Sequence, residues 1–430
     1  MLHKMLIANR GEIAVRIINE CKQMGIKTVA ICSDIERGAL HMQLADEGYC
    51  VGAAPIKDSY TNMESIINAA LITNSDSLHP GYGFLSENAE FTQLCEQYNI
   101  SFVGPTGDTL IRASDKIIIK KVAEEQQIPV LTGYSINNLD DALLCAQNIG
   151  YPVMIKASNG GGGAGMQPVY NADELKKSFE VLYSGRNSGL LVEKYIETAR
   201  HIEIQIMADR YGNIISLGDR ECSIQINNKK VLEECPAQNL SADLLNKLYS
   251  DSLKLAKTVN YVGVGTVEFL VDKAENYYFM EMNARIQVEH GITEMITGIN
   301  LIQWQIKIAA GEMMSFTQED ITFTGHAVEC RINAQSCGWI SKWCFNDSGA
   351  RFDHALFAGM RVTPYYDSLL GKVISHGQTR DDVICKMRRY LDKLQIDGID
   401  INIDQQKAII NGDRFINGTY YTSFLRNGAV

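Results

Sequence analysis

The densest chemistry in the chain lies in Glu281-Met282-Asn283-Ala284-Arg285-Ile286-Gln287-Val288-Glu289-His290. Read as an extended strand, Tyr277–His290, this run sets Glu281, Asn283, Arg285, Gln287 and Glu289 on one face and mainly apolar residues on the other. A solvated sheet face is the ordinary reading of a polar row, yet exposed strands favour Thr, Lys and Tyr over carboxylates and amides around one Arg. Val264–Val271 reads as the preceding strand, and a turn at Ala274-Glu275 places Glu268 opposite Glu281. Two facing carboxylates repel unless a cation lies between them. Oxygen-only ligands there suit Mg²⁺, which bridges phosphates through one or two carboxylates. Arg285 then offers a planar fork to a small oxyanion, and Glu289 is placed to act as a base.

A second candidate is Asn159-Gly160-Gly161-Gly162-Gly163-Ala164-Gly165-Met166. Consecutive residues without Cβ let backbone N–H groups fold around phosphate oxygens. The run lacks the Gly-Lys-Ser/Thr and following helix of a Walker loop. Between the short strands Pro152–Lys156 and Met166–Tyr170 it reads as a glycine-tipped hairpin, a mobile lid whose first strand brings the cation of Lys156 to the phosphates. The alternative is a flexible linker, though linkers are not usually flanked by strands.

These residues need a frame. Lys4–Asn9 reads as a buried strand, Ile13, Ile17, Ile18 and Cys21 recur at helical spacing before Gly25, and Lys27–Cys32 is the next strand. Such a β-α-β opening predicts a doubly wound α/β domain over residues 1–112, with its ligand end at the carboxyl ends of the strands. The Pro- and Gly-punctuated loop His79–Asn88 sits at that end, with Ser86 as a candidate cap for the helix through Phe91 and Leu94. From 113 to 325 the pattern becomes α+β: a helix around Lys116–Gln126, a lid over about 131–203, a hairpin pairing His201–Met207 with Asn213–Leu217, and one helix over Glu294–Gly311. Residues 326–430 read as a smaller α+β domain.

With 430 residues, 46% hydrophobic and 21% charged, the composition is that of a globular protein of several domains. A formal net charge of −11 argues against nucleic acid and anionic membranes as partners. No stretch approaches a membrane span, and Met1-Leu2-His3-Lys4 opens no signal peptide. Eleven scattered cysteines without Cys-x-x-Cys imply reduced, mostly buried thiols and a cytoplasmic location. Cys330, Cys337 and Cys344, with His326 and His354 nearby, could bind zinc, but they lack paired short ligand spacings. A nicotinamide oxidoreductase, which the β-α-β opening would allow, is weakly supported, since Asn9-Arg10-Gly11-Glu12 is not Gly-x-Gly-x-x-Gly, and absence of NAD(H) binding would dispose of it.

Several of these motifs together, Ala8–Ala14, His79–Asn88, Ile155–Met166, Glu193-Lys194-Tyr195, Phe279–His290 with Thr293–Gly298, Gly325–Asn333 and Pro364–Ser368, resemble the biotin carboxylase family over essentially the whole chain. The resemblance implies an ATP-grasp fold between an N-terminal α/β domain and a C-terminal domain. It implies a ligase that makes carboxyphosphate from ATP and bicarbonate, with Mg²⁺ or Mn²⁺, and carboxylates biotin on a separate biotin carboxyl carrier protein. Carboxyltransferase subunits and a homodimer are the further partners implied. By motif position, Lys116, Lys156, Gly161, Gly162, Gly163, His201 and Gln225 would bind ATP, with Glu193 and Lys194 holding adenine. Glu268, Glu281 and Asn283 would hold the metal. Arg285, Gln287 and Val288 would bind bicarbonate and Glu289 would deprotonate it. Lys230 would steady carboxyphosphate, Arg331 would stabilise biotin's enolate oxygen, and Tyr82 would line the biotin cleft. No Met-Lys-Met biotin acceptor is present, so the biotin is expected on another chain.

The chain also departs from the family. Ile226-Asn227-Asn228-Lys229-Lys230 replaces a basic, histidine-containing stretch, Ala164 replaces Arg or Lys, Gly291 replaces Pro, and the segment between Asn333 and Arg351 is about eight residues shorter. Asn19 and Gln23 stand where charged residues are usual. These changes predict slow turnover and a weakened homodimer. They also keep open a second reading, an ATP-binding relative without catalysis.

Overall fold

In the computed structural model, which describes residues 2–157, 165–183 and 189–425, the N-terminal strands form one parallel sheet. Its order is Glu47–Gly52, Lys27–Ser33, Lys4–Ile7, Ser77–His79, Ser101–Phe102. Met5, Leu6 and Ile7 are fully buried, as a strand covered on both faces requires. The first helix, Gly11–Gln23, turns Ile13, Ile17, Ile18 and Cys21 inward and is followed by Gly25 at φ +73°. The strand order reverses beside Lys4–Ile7, and there Asn9 Nδ2 donates to the carbonyls of Pro80 at 2.7 Å and Tyr82 at 2.8 Å. That crevice is where open α/β sheets bind ligands. The helix after the loop is capped by Asn88, which accepts from Phe91 N, rather than by Ser86.

Helix Gly107–Ser114 runs through Arg112, and Asp115 caps the next helix, Lys116–Glu125. A four-stranded antiparallel module follows, in the order Gly133–Ile136, Leu190–Lys194, Val153–Ala157, Met166–Val169. It has an apolar core of its own that includes Ile136, Ile155, Phe179 and Val192. The glycines at 161–163 and Ala164 lie outside the described residues.

An eight-stranded antiparallel sheet forms the rest of the frame: Tyr277–Asn283, Gly263–Val271, Arg200–Ala208, Ile214–Ile226, Lys229–Cys235, His326–Asn333, Leu369–Gly377, Arg351–His354. It runs unbroken from the central to the C-terminal part through the pairing of Lys229–Cys235 with His326–Asn333. Glu268 lies opposite Glu281, the expected pairing, but through a register shift between Glu268 and Phe269, since nearer the turn Val271 faces Tyr277.

Two expectations fail here. The strand from Tyr277 ends at Asn283, and residues 284–289 form a loop before helix His290–Thr297. A second helix, Leu301–Ala309, begins after Gly298 at φ +71°, with Asn300 as its cap. The left-handed glycine stops the first helix, so 294–311 is not continuous. Among the described residues no helix is long and apolar enough to cross a membrane. All the cysteines are free; Cys330 is buried, Cys337 is exposed, and none of the close His/Cys/Asp/Glu groups among the described residues includes them or Cys344.

Candidate active site

The three units surround a cavity of about 780 Å³, lined by Tyr82 from the first, Lys156, Glu193 and Lys194 from the module, and Lys116 with the large sheet. From that sheet and the loop after it come His201, Gln225, Lys230, Glu268, Glu281, Asn283, Arg285, Gln287, Val288 and Arg331. The described residues expected from the sequence therefore converge, but not by the route expected. Beyond Asn283 no strand alternation aligns Arg285, Gln287 and Glu289. They are gathered by hydrogen bonds: Glu87 accepts from Ala284 N at 2.9 Å and Arg285 Nε at 2.8 Å. Arg285 then donates to Asn283 Oδ1 at 2.7 Å and Gln287 Oε1 at 3.0 Å. Asn283 and Gln287 each turn their amide N–H toward Glu268 Oε1, both at 2.8 Å.

At the centre, Lys230 Nζ meets Glu203 Oε2 at 2.6 Å, Glu268 Oε1 at 3.1 Å and Glu289 Oε1 at 2.6 Å. Burial would lower this ammonium's pKa, but three carboxylates hold it well above the ordinary lysine value. Burial would likewise raise Glu289, yet Lys230, Arg331 and Arg220 hold it well below the usual carboxylate range. Glu289 is fully buried and is not part of the cavity wall. It lies behind Lys230 and Arg331, whose Nη2 donates to Glu289 Oε2 at 2.9 Å.

Glu268 is also held low, Lys230 and His201 overriding burial. Gln225 Nε2 donates both to Cys222 O at 2.7 Å and to His201 Nδ1 at 2.8 Å. The backbone acceptor fixes the amide, so the His201 proton sits on Nε2 and goes to Glu268 Oε2 at 2.7 Å. Glu281, the more exposed of the opposed pair, takes Lys116 Nζ at 3.0 Å. On the module, Glu193 receives Lys120 Nζ at 2.7 Å and pairs with Lys156; the two lysines overcome burial and lower its pKa. Lys194 donates to Gly150 O at 2.9 Å, and Tyr82 donates its hydroxyl to Glu12 at 2.5 Å.

Glu268, Glu281 and Asn283 fit a hard divalent cation: two opposed carboxylates and an amide oxygen, each now facing a cationic or N–H donor. Sequence reasoning missed Glu87, Lys120, Glu203 and Arg220. Glu203 carried a signal, because His201, Glu203 and Gln205 alternate with Ile202, Ile204 and Ile206 along one strand. Arg220 carried none; it is fully buried and donates to Glu203, to Thr293 Oγ1 at 2.9 Å and to Thr266 Oγ1 at 3.1 Å.

A parallel N-terminal sheet, a small four-stranded module and a nucleotide-sized cavity over opposed carboxylates are the layout expected of an ATP-grasp ligase. Three family models match in chain order: biotin carboxylase N-terminal domain at residues 1–110, carbamoyl-phosphate synthase L chain ATP-binding domain at 115–317, and biotin carboxylase C-terminal domain at 329–427. Biotin carboxylase 1 of Bacillus subtilis is 45% identical, the match covering 99% of this chain and 98% of that one. The 2-oxoglutarate carboxylase small subunit of Hydrogenobacter thermophilus is 42% identical over 99% of this chain and 93% of its own. The crystal structure of that carboxylase's biotin carboxylase domain dimer, in complex with MgADP, ADP and bicarbonate, superposes with a TM-score of 0.96 at 42% identity, covering 99% and 98% of the two chains. A biotin carboxylase–β,γ-ATP complex from Campylobacter jejuni gives 0.95 at 39%, covering 99% of each. The chain belongs to the biotin carboxylase family, ligases that use ATP, Mg²⁺ and bicarbonate to carboxylate biotin.

Proposed function

We propose that the chain is the biotin carboxylase subunit of a multi-subunit acyl-CoA carboxylase, serving acetyl-CoA carboxylation for fatty-acid synthesis in the cytoplasm. Its acceptor is biotin on a separate carrier protein, and carboxyltransferase subunits take the carboxyl group onward. The observation that carries this reading is Glu289, a buried carboxylate clamped between Lys230 and Arg331 at the back of the cavity, with the Arg285 fork alongside. Anions entering the cavity compete for Lys230 and Arg331. As those cations turn to the anions, Glu289 is left more basic and exposed to bicarbonate. Its carboxylate takes the bicarbonate proton, a bicarbonate oxygen bonds to the γ-phosphorus, and the bond to ADP breaks. Arg285, Gln287 and Val288 hold the bicarbonate and Lys230 steadies the carboxyphosphate. Glu268, Glu281 and Asn283 would hold Mg²⁺, which neutralises phosphate charge when bound.

Lys116, Lys156, His201 and Gln225 face the nucleotide, with Glu193 and Lys194 at adenine; a phosphate role for glycines 161–163 rests on the sequence motif alone. Arg331 faces the oxyanion that develops on biotin, and Tyr82 walls that cleft. The second reading, an impaired relative, rests on the hairpin tip. Asn227 and Asn228 both adopt left-handed conformations, at φ +50° and +63°, and Lys229 is held by Asp367 at 3.0 Å. The tip thus offers less positive charge than a basic stretch would. Asn19 and Gln23 are exposed one turn apart on the first helix, which supports a homodimer weaker than in relatives. Bicarbonate-dependent ADP release, with and without biotin, tests the function.

A further inference from the structure

Glu233 and Glu329 are direct partners on the antiparallel strands Lys229–Cys235 and His326–Asn333, and both are fully buried. Arg331 follows Glu329 by two residues and leaves the same face of the strand. Its Nε donates to Glu233 Oε1 at 2.6 Å and its Nη2 to Glu289 Oε2 at 2.9 Å. A rigid guanidinium held through two different nitrogens has its plane fixed. Glu233 Oε2 and both Glu329 oxygens have no hydrogen-bond partner among the described residues. Opposed buried carboxyls in that condition cannot both be charged.

The charges around the pair come from every packed element. Arg331 and Glu289 face Glu233, Lys230 lies on its own strand, and Cys222 is on the strand beside it. Lys372, on the strand next to Glu329, is also fully buried. Its ammonium is drawn away to Val288 O and to Glu12 at 3.3 Å. Burial, then Glu289, push Glu233 up to about 7 against the pull of Arg331 and Lys230. Burial and Glu233 push Glu329 well above the carboxylate range despite Lys372 and Arg331.

We propose that Glu233 is a positioning residue for Arg331, and that Glu329 stays neutral so that Glu233 can be the charged carboxyl of the pair. The inference rests on the roles given to Arg331 and Glu289 above. Once Glu289 carries the bicarbonate proton, its hold on Arg331 weakens. Glu233 is then the carboxylate that keeps the fork aimed at biotin's developing oxyanion. Protonating Glu233 frees the fork, so biotin carboxylation has an acid limb near neutrality.

Infrared difference spectra of the intact protein test the proton assignment without reference to activity. A protonated-carboxyl band that persists well above neutrality should vanish in Glu329→Gln, and one that titrates near neutrality should vanish in Glu233→Gln. In kinetics, Glu233→Gln should lower kcat for biotin carboxylation by about tenfold or more, with a smaller change in the biotin KM, and should abolish the acid limb. Glu329→Gln should keep the limb and a rate within about twofold of wild type, because Gln mimics a neutral carboxyl. Persistence of the high-pH band in Glu329→Gln overturns the assignment. A wild-type rate and limb in Glu233→Gln, or equal loss in both variants, overturns the positioning role. A wild type without biotin-dependent turnover overturns the proposed function itself, and the positioning role with it.

Discussion

The four-stranded module and the eight-stranded sheet face each other across one cavity but hold their polar groups differently. On the module, Glu193 and Lys156 sit at the rim of a small separate core, and Glu193 is answered from outside by Lys120. On the sheet side, Glu203 and Glu268 stand on adjacent strands and Glu289 in the loop after the edge strand Tyr277–Asn283, and Arg220 and Lys230 meet them from two further strands. A module with its own core can shift as a body without disturbing packing elsewhere, whereas moving one sheet carboxylate would strand a buried charge. The difference teaches a division of labour. On the proposed function, the sheet side is preorganised for the chemical step, and the module's share is to help capture nucleotide.

That division can be broken in order of expected effect. Excess chelator should abolish turnover, and Glu281→Gln should do the same while leaving the fold intact, because one of two opposed carboxylates is lost. Full activity in chelator, measured as ADP release, would remove the metal from the account. Glu289→Gln should lower the rate by roughly 10²–10⁴ with nucleotide affinity little changed. Collapse of affinity alongside rate would make Glu289 structural or a metal ligand. On the module, Lys156→Met should raise the KM for ATP by about tenfold and leave kcat within a few-fold, the reverse split. A kcat loss as large as that of Glu289→Gln would erase the division. The smallest effect belongs to the hairpin tip: Asn228→His should raise the rate severalfold without altering the oligomer, since an imidazole can return positive charge near the proposed site of the transferring phosphate. An unchanged rate would show that the tip does not reach the reaction.

Much of this arrangement was legible in the sequence where local rules decide. The Glu268–Glu281 opposition came out as read, although the pairs nearer the turn, such as Val271 with Tyr277, are one residue off the expected register and an irregularity between Glu268 and Phe269 restores it. The polar row beyond Asn283 misled because Ala284–Glu289 alternates like a strand. A partner about two hundred positions away, Glu87, takes the Ala284 N–H and the Arg285 fork, and tertiary hydrogen bonds override the period. Gly298 followed by Asn300 is a stop and a start signal that the apolar spacing of 294–311 masked. Arg220 and Lys372 were unreadable because a charge is tolerated in a core only when partners from distant strands meet it, and period gives no sign of those.

The central claim, that the sheet half performs bicarbonate activation while the module holds nucleotide, is tested most directly by ADP release from the wild-type protein at saturating ATP. Release should require bicarbonate and rise when biotin is added, at a rate below that of the Bacillus subtilis relative because of the altered hairpin tip. ADP release indifferent to bicarbonate and biotin would contradict the account as bare ATP hydrolysis, and none despite tight ATP binding would contradict it and leave the ATP-binding relative without catalysis as the reading that stands.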